Sequence, residues 1–462
     1  MNANMEPIGR CHVVALPYPA RGHINPMMNL CKLQASRSHD LLITFVVTEE
    51  WLGFIGSESK PANLRFGTIP NVLPSELVRA SDMLGFVEAT LTKMEEPFEK
   101  LLDRLEPPPT VIMADVCVSW AIIVGNRRNI PVAALWPMPV AVFSFIYHFD
   151  LLVENQHYPF DLSERGDELV DYIPGISSTR LADLPTIFYK SQRHFMSQGI
   201  KMISDVSKAQ FCLFSSILEL EAQVINALRP KLPIPMYSFG PLIPHFTLED
   251  QENAPDHMTS HNDTNSRKWL DSQPQGSVLY ISMGSYFSIS SAQMDEIVAG
   301  LSAIGVRFLW VARGEASRLK EACGDSGMVV PWCDQLKVLC HSSVGGFWSH
   351  CGWNSTMESV FAGVPMLTFP MHMDQVPISK TIVEDWRIGW RVLKREVGME
   401  NLVGREEIAD LVRRFMDLES PERREMIRRV RELQGISRQA IAKGGSSEVN
   451  LGVFIRDILQ LS

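Results

Sequence analysis

The stretch FWSHCGWNSTMESV, Phe347 to Val360, decides how this chain is read. It starts apolar, fills with polar side chains and turns apolar again. A strand is expected over VGGFW, ending at Trp348, and a helix from about Asn354. The polar residues then fall at the carboxyl end of a strand. Gly352 permits a tight turn or a close backbone approach there. The free N–H groups and positive dipole end of the helix make the join an anion site. His350, Asn354 and Ser355 add donors suited to phosphate oxygens. Glu358, at i+4 from Asn354, faces the same way. A carboxylate beside phosphates makes sense if it accepts ribose hydroxyls, as in dinucleotide folds. On these residues alone, a nucleotide diphosphate site and a capped structural turn both stay open.

Upstream, the same alternation recurs. HVVALPYP, Leu41 to Val47, Leu64 to Ile69, Thr110 to Asp115 and PVAALW read as strands, and Met27 to Ser36 and Phe86 to Leu105 as helical. From Thr247 to Asn265 the chain holds five acidic residues and no Lys or Arg, which is a linker pattern. A second series follows: GSVLYISMGS, a helix over Ala292 to Ala303, VRFLWVAR, VGGFWS and VPMLTFP. Helices over Arg405 to Asp417 and Glu422 to Leu433 come next, with Ser420-Pro421 as N-cap and N1 of the latter. GGSS at Gly444 to Ser447 precedes an amphipathic stretch, Val449 to Leu459. Strands alternating with helices give an α/β chain with two doubly wound parallel sheets. Ligands bind beyond the carboxyl ends of such strands, so the cleft between the sheets is the expected site.

Three further positions face that cleft. Gly284-Ser285 closes the strand Val278 to Met283, as a phosphate-binding loop or as an ordinary turn. His23 follows the first strand, in the loop before a helix, and is either a general base or a solvated loop residue. Asp115 ends the strand TVIMAD. It is either the partner that orients His23 or an N-cap for the segment after it.

Composition excludes several classes. Of 462 residues, 45% are hydrophobic and 21% charged, the balance of a globular chain. A formal net charge of -10 argues against nucleic-acid binding. The eight scattered cysteines read as reduced thiols of a cytoplasmic protein, and Cys340-His341 with His350-Cys351 matches no common zinc spacing. MNANMEPIGR lacks a signal-peptide layout. Ile130 to Tyr147 is uncharged, but Pro131, Pro137 and Pro139 punctuate it, so no membrane span is expected. No acidic cluster suits a metal, and no G-x-G-x-x-G follows the first strand to mark an NAD enzyme.

Trp332 to Gln375 closely resembles the 44-residue signature box of plant family 1 UDP-dependent glycosyltransferases. Trp332, Gln335, His341, Gly345, His350 to Ser355, Glu358, Gly363, Pro365, Pro370, Asp374 and Gln375 stand at its fixed points. PARGHINP and the final GGSS fit the same family, so the resemblance covers nearly the whole chain. It implies the GT-B fold: 1–246 a Rossmann-like acceptor domain, 247–265 a linker, 266–445 a Rossmann-like UDP-sugar domain, and 446–462 a helix returning to the first domain. It implies that Trp332 stacks on uracil, that Gln335 and Glu358 hold ribose, and that His350, Asn354, Ser355 and Ser285 bind the diphosphate. Trp353, Asp374 and Gln375 would read the sugar, and Cys333 and Gly352 belong to the same UDP-sugar site.

His23 would be the base and Asp115 its partner, giving inverting transfer from a UDP-sugar to a small lipophilic acceptor without a metal. Gln375, whose amide both donates and accepts, points to UDP-glucose. The acceptor pocket would be lined by Trp136 to Tyr147 and loops near Ile173 to Thr186. Seen alone, Trp332 could be core, Trp353 could pack the turn, and Asp374-Gln375 could open a solvated helix. Two positions depart from the pattern: Asp334 replaces the usual Pro and can cap the next helix, and Met283 stands where Phe is common. A sugar-nucleotide epimerase or hydrolase, or a non-catalytic UDP-sugar-binding protein, is the alternative. The chain is expected to be a monomer, with the UDP-sugar as co-substrate and no bound cofactor.

Overall fold

Apolar runs buried on both faces become the central strands of two parallel sheets. The structure, a computed structural model, describes residues 11–76, 79, 82–246, 261–284, 289–312, 314–324, 327–392 and 402–461. The first sheet uses β1 (Cys11–Leu16), β2 (Leu41–Thr48), β3 (Leu64–Ile69), β4 (Val111–Asp115) and β5 (Val132–Trp136). After a two-stranded ribbon, β6 (Leu169–Val170) with β7 (Thr179–Arg180), it adds β8 (Phe211–Phe214) and β9 (Met236–Ser238). Its order is β3-β2-β1-β4-β5-β8-β9, parallel throughout. The second sheet takes β10 (Val278–Ser282), β11 (Arg307–Val311), β12 (Gly327–Val330), β13 (Val344–Ser349), β14 (Met366–Thr368) and β15 (Gly389–Arg391). Its order is β12-β11-β10-β13-β14-β15, again parallel. Every residue of β1, β4, β5, β8, β10 and β13 is buried. Helices therefore cover both faces of each sheet, as parallel sheets require. These are the two Rossmann-like units of the GT-B fold.

In each sheet the strand order reverses beside the first strand, between β1 and β4 and between β10 and β13. Those switch points open crevices at the strands' carboxyl ends. His23 and Asp115 stand at the first, and Gly284 and His350 at the second.

The last helix, Ser446–Leu459, returns to the first sheet. Leu451, Phe454, Ile455 and Ile458 are buried in that sheet's core. Phe454 meets Phe211 edge-on at 5.6 Å, and Tyr237 donates its hydroxyl to Asp457. Burying such side chains stabilises by about 1.5–3 kcal/mol each, an upper figure.

Several elements differ from expectation in their limits. The expected helix Phe86–Leu105 is two helices, Met83–Lys93 and Glu95–Leu102. The helix expected over Glu422 to Leu433 runs Pro421–Ile441, with Ser420 accepting from the Arg423 N–H as its cap. Most of the acidic segment, 247–260, lies outside the described residues. A helix, His261–Asp271, starts within its expected end, so the polar run HNDTN is helical rather than linker. Among the described residues, no helix is long and apolar enough to cross a membrane; Ile130 to Tyr147 is β5 followed by a short helix, Val140–Tyr147.

Candidate active site

The helix Arg21–Arg37 begins after β1 with Ala20 as its N-cap. His23 is thus the third helical residue, in the first turn, rather than in the loop before it. Its Nδ1 lies 2.8 Å from Asp115 Oδ2. The carboxylate of Asp115 is fully buried, while the imidazole is 19% exposed. Asp115 also accepts the Cys117 N–H through Oδ1 at 2.8 Å. Both readings of Asp115 therefore hold at once: one oxygen caps the next turn, the other takes His23. An acceptor on Nδ1 fixes the proton there and leaves Nε2 as a base toward the cleft. His23, Asp115 and Cys117 place their ligating atoms within 4.8 Å of one another. Nδ1 is already engaged, and burial with the neighbouring carboxylate pushes the Cys117 thiol well up. The trio thus reads as a His–Asp dyad beside a protonated thiol.

Across the cleft, β13 ends at Ser349 and the helix Trp353–Ala362 begins with Gly352 as N-cap. The left-handed turn falls on Cys351, with φ +68. Gly352 itself has ordinary extended φ/ψ; its lack of a side chain serves the close approach instead. A Cβ on Gly352 would sit 2.5 Å from His350 Nε2, and one on Gly284 would sit 2.6 Å from the same atom. The two glycines thus clamp the imidazole. Burial lowers the His350 pKa to about 4, so the ring is a neutral donor at physiological pH. The helix N-terminus leaves its first N–H groups facing this turn. Ser285 lies outside the described residues.

Gln335 and Glu358 meet directly. Gln335 Nε2 donates to Glu358 Oε2 at 2.6 Å and lies 2.8 Å from Ser355 Oγ. Tyr280, at the centre of β10, donates to Gln335 Oε1 at 3.2 Å and lies 3.6 Å from Cys333 Sγ. Burial raises the Glu358 pKa to about 7, offset in part by Gln335 and reinforced by the nearby Asp334 charge. Asp334 caps the helix Gln335–Leu339 by accepting the Lys337 N–H, so the unusual residue does the turn's work as expected. Trp332, 43% exposed, offers a face at the cleft's rim.

Three side chains differ from the simple sugar-site picture. The Trp353 indole is buried and donates Nε1–H to the Ser215 carbonyl at 2.6 Å, so its N–H ties the two units together rather than reading a hydroxyl. Asn354 Nδ2 donates to the Gly22 carbonyl at 2.9 Å. That carbonyl is available because Pro26, four residues on within the helix, has no N–H to give it. Gln375 Oε1 accepts the N–H groups of Met371, at 2.9 Å, and His372, at 3.2 Å. Only its Nε2 remains for a ligand, so the amide donates but does not accept. Asp374 borders the same cleft. Burial raises its pKa to about 6, against the pull of its own backbone N–H and of the nearby His23.

His23, Gly284, Trp332, Gln335, His350, Asn354, Ser355, Glu358, Asp374 and Gln375 line one cleft of about 710 Å³. Its lining also includes the apolar side chains of Met83, Val87, Leu91, Met138, Val142, Ile146, Ile187, Phe195 and Met202. Trp136, Val142 and Ile146 fall within the segment expected to line the acceptor pocket, and Pro185 within the expected loop. Sequence reasoning missed Tyr280, Ser215 and Gly22. The spacing of Gly22 and Pro26 was a readable signal; the other two depend on pairing between distant segments.

The family model for UDP-glucoronosyl and UDP-glucosyl transferases matches residues 206–423. UDP-glycosyltransferase 87A2 of Arabidopsis thaliana is 54% identical over 449 residues, covering 97% of this chain and 96% of the relative. UDP-glycosyltransferase 87A1 of the same plant is 51% identical, covering 96% and 100%. Among solved structures, Medicago truncatula UGT71G1 complexed with UDP-glucose aligns with a TM-score of 0.81 at 26% identity, covering 97% of this chain and 98% of that one. Os79 from O. sativa, in complex with U2F and trichothecene, aligns with a TM-score of 0.82 at 26% identity, covering 96% and 100%.

Proposed function

The chain belongs to the plant family 1 UDP-glycosyltransferases, and we propose that it transfers glucose from UDP-glucose to a hydroxyl of a small lipophilic acceptor, with inversion. The first unit holds the acceptor and the second the nucleotide sugar. His23 Nε2 removes the acceptor hydroxyl proton while Asp115 holds the imidazole and stabilises its charged form. The acceptor oxygen attacks the anomeric carbon from the face opposite UDP, so an α-linked donor gives a β-glucoside. Charge growing on the leaving diphosphate is met by the N-terminus of the helix Trp353–Ala362 and by the neutral N–H of His350. Trp332 stacks on uracil. Glu358 accepts the ribose hydroxyls, with Gln335 and Ser355 beside it. Asp374 accepts from the sugar, and Gln375 donates to it through Nε2.

One observation carries the transfer reading: His23, bonded to Asp115 at 2.8 Å, lines the same cleft as a diphosphate-type helix terminus and a set of apolar side chains. An epimerase or hydrolase needs no such apolar lining, and a mere binding protein needs no dyad. The structures of UGT71G1 complexed with UDP-glucose and of Os79 in complex with U2F and trichothecene support a sugar donor and a lipophilic acceptor. Gln375 supports glucose, because a donor aimed at an equatorial 4-hydroxyl loses its partner when that group is inverted. The test is incubation with UDP-glucose and a varied panel of aglycones, read by mass. A gain of one hexose on lipophilic alcohols or phenols is expected. Release of free glucose at the same rate with and without every aglycone would refute the reading.

A further inference from the structure

The residue before Asp374 has an unusual backbone and an unusual partner. Met373 is left-handed, with φ +56, a region that residues with side chains seldom occupy. It is held there by Thr186 from the first unit. The Met373 N–H donates to Thr186 Oγ1 at 2.8 Å, and the Thr186 N–H donates to the Met373 carbonyl at 3.2 Å. The first bond fixes the peptide plane before Met373 and the second fixes the plane after it. Together they set both backbone torsions of Met373, and hence where the chain enters Asp374 and the helix Gln375–Lys380. Thr186 is 3% exposed, so water does not compete for these bonds. Pro185 and Ile187, on either side of it, line the cleft.

Two ion-pair groups grip the same two segments further along. Asp183 pairs with Arg180 at 2.8 Å and with Arg391 of β15 at 2.9 Å. Lys380, 4% exposed, pairs with Asp385 at 2.7 Å and donates to Ser177. These hold the loop and the second unit in register, but they act at β15 and at the far end of the helix. Of these groups, Thr186 is the one that hydrogen-bonds Met373, the residue before Asp374.

We propose that Thr186 is a positioning residue for donor-sugar choice: its two-way clip on Met373 sets where the Asp374 carboxylate and the Gln375 amide stand. This rests on the reading that those two side chains contact the sugar. A residue of the acceptor-side loop thereby tunes which UDP-sugar the other unit accepts.

The test is Thr186→Val, which keeps the branched shape and loses Oγ1, with Thr186→Ser as the variant that keeps it. The measured quantity is the ratio of kcat/KM for UDP-glucose to that for UDP-galactose. In Thr186→Val the ratio falls about 5- to 10-fold, the scale of one positioned hydrogen bond. Free UDP, which lacks the sugar, keeps its Kd within about twofold, because its contacts lie elsewhere. Hydrogen exchange at the Met373 amide speeds up, and Thr186→Ser retains the wild-type ratio. Thr186→Ala removes the same Oγ1 in a smaller side chain and lowers the ratio likewise, so it serves if Thr186→Val does not fold. An unchanged ratio in Thr186→Val and Thr186→Ala, with a narrowed one in Gln375→Ala, overturns the clip and leaves the sugar contacts standing. An unchanged ratio in all three overturns both. A loss of UDP affinity with the ratio unmoved, or failure of Thr186→Ser to retain the ratio, makes Thr186 merely structural and also overturns the proposal.

Discussion

UDP-glucose should bind about 10-fold more weakly at pH 6 than at pH 8, and Glu358 is the reason. In the unliganded cleft, burial holds this carboxyl at about 7. Ribose hydroxyls donating to it favour the charged form and pull the value back toward the ordinary carboxylate range. Binding then requires the ionised carboxylate. At pH 8 nearly all of it is ionised. At pH 6, one unit below its free-state value, about one molecule in ten is, so the penalty is about 1.4 kcal/mol. At pH 7 about half a proton leaves per ligand bound. UDP-glucose is the proper ligand, because its phosphates do not titrate in this window as the terminal phosphate of UDP does.

The assay is titration calorimetry at pH 6, 7 and 8 in two buffers of different ionisation enthalpy, on wild type and Glu358→Gln. The variant binds more weakly at pH 8 but loses the Glu358 share of the pH slope. The contribution from Asp374 is common to both proteins and cancels. Equal slopes in the two proteins would refute the reasoning. The same shift has a stability consequence of opposite sense. A carboxyl whose folded pKa lies above its unfolded value of 4.5 favours the folded state at low pH and loses that advantage as pH rises toward 7. Unliganded Glu358→Gln therefore melts above wild type at pH 8, by a margin that closes below about pH 4.5.

Three other outcomes follow from the geometry. His23→Ala should keep UDP affinity and cut turnover by roughly 10²- to 10⁴-fold, the worth of a general base; Asp115→Asn should lose less, since it orients rather than reacts, and a larger loss in steady-state kinetics would reverse the two roles. Gln375→Ala should narrow the preference for UDP-glucose over UDP-galactose, by about 5- to 150-fold for an unpaired polar group, as read from competition between equal donor concentrations; a galactoside as the main wild-type product would contradict the donor assignment. Gly284→Ala should weaken UDP binding and lower Tm together, because its Cβ would displace His350 and its φ of +81 disfavours a side chain; calorimetry and a melt showing neither change would remove the clamp from the account.

Much of this was legible because the fold repeats one local rule. Uninterrupted apolar runs such as VIMAD and VLYIS bury on both faces, and the polar residues that end them must then lie at the cleft. That placed His23, Asp115 and His350 at the cleft from residue order alone, while the strand order that makes those positions switch points is seen only in the structure. What stayed hidden was the competition for each polar atom. Nothing local says that the Trp353 indole N–H finds Ser215, 138 residues away; the Gln375 oxygen is taken by the N–H groups of Met371 and His372 just upstream, a reach-back that depends on how the turn before its helix folds. Reading Gln375 as both donor and acceptor counted its free valences without that competition. The role of Gly352 also shifted: a glycine after a strand suggests a turn, yet the positive φ fell on Cys351 and the glycine was needed for the ring of His350. The partnership of Thr186 with Met373 is likewise a matter of how two distant segments meet.

The central claim is that His23 and the opposed helix terminus drive a direct, inverting displacement on a UDP-sugar. It is tested most directly by proton NMR of the anomeric centre during a single reaction of UDP-glucose with an accepted aglycone, run with wild type and His23→Ala side by side. The account predicts that wild type forms a β-glucoside from the first turnover and that His23→Ala forms the same anomer at a rate lower by roughly 10²- to 10⁴-fold. An α-glucoside from wild type, or a β-glucoside made by His23→Ala at the wild-type rate, would contradict it.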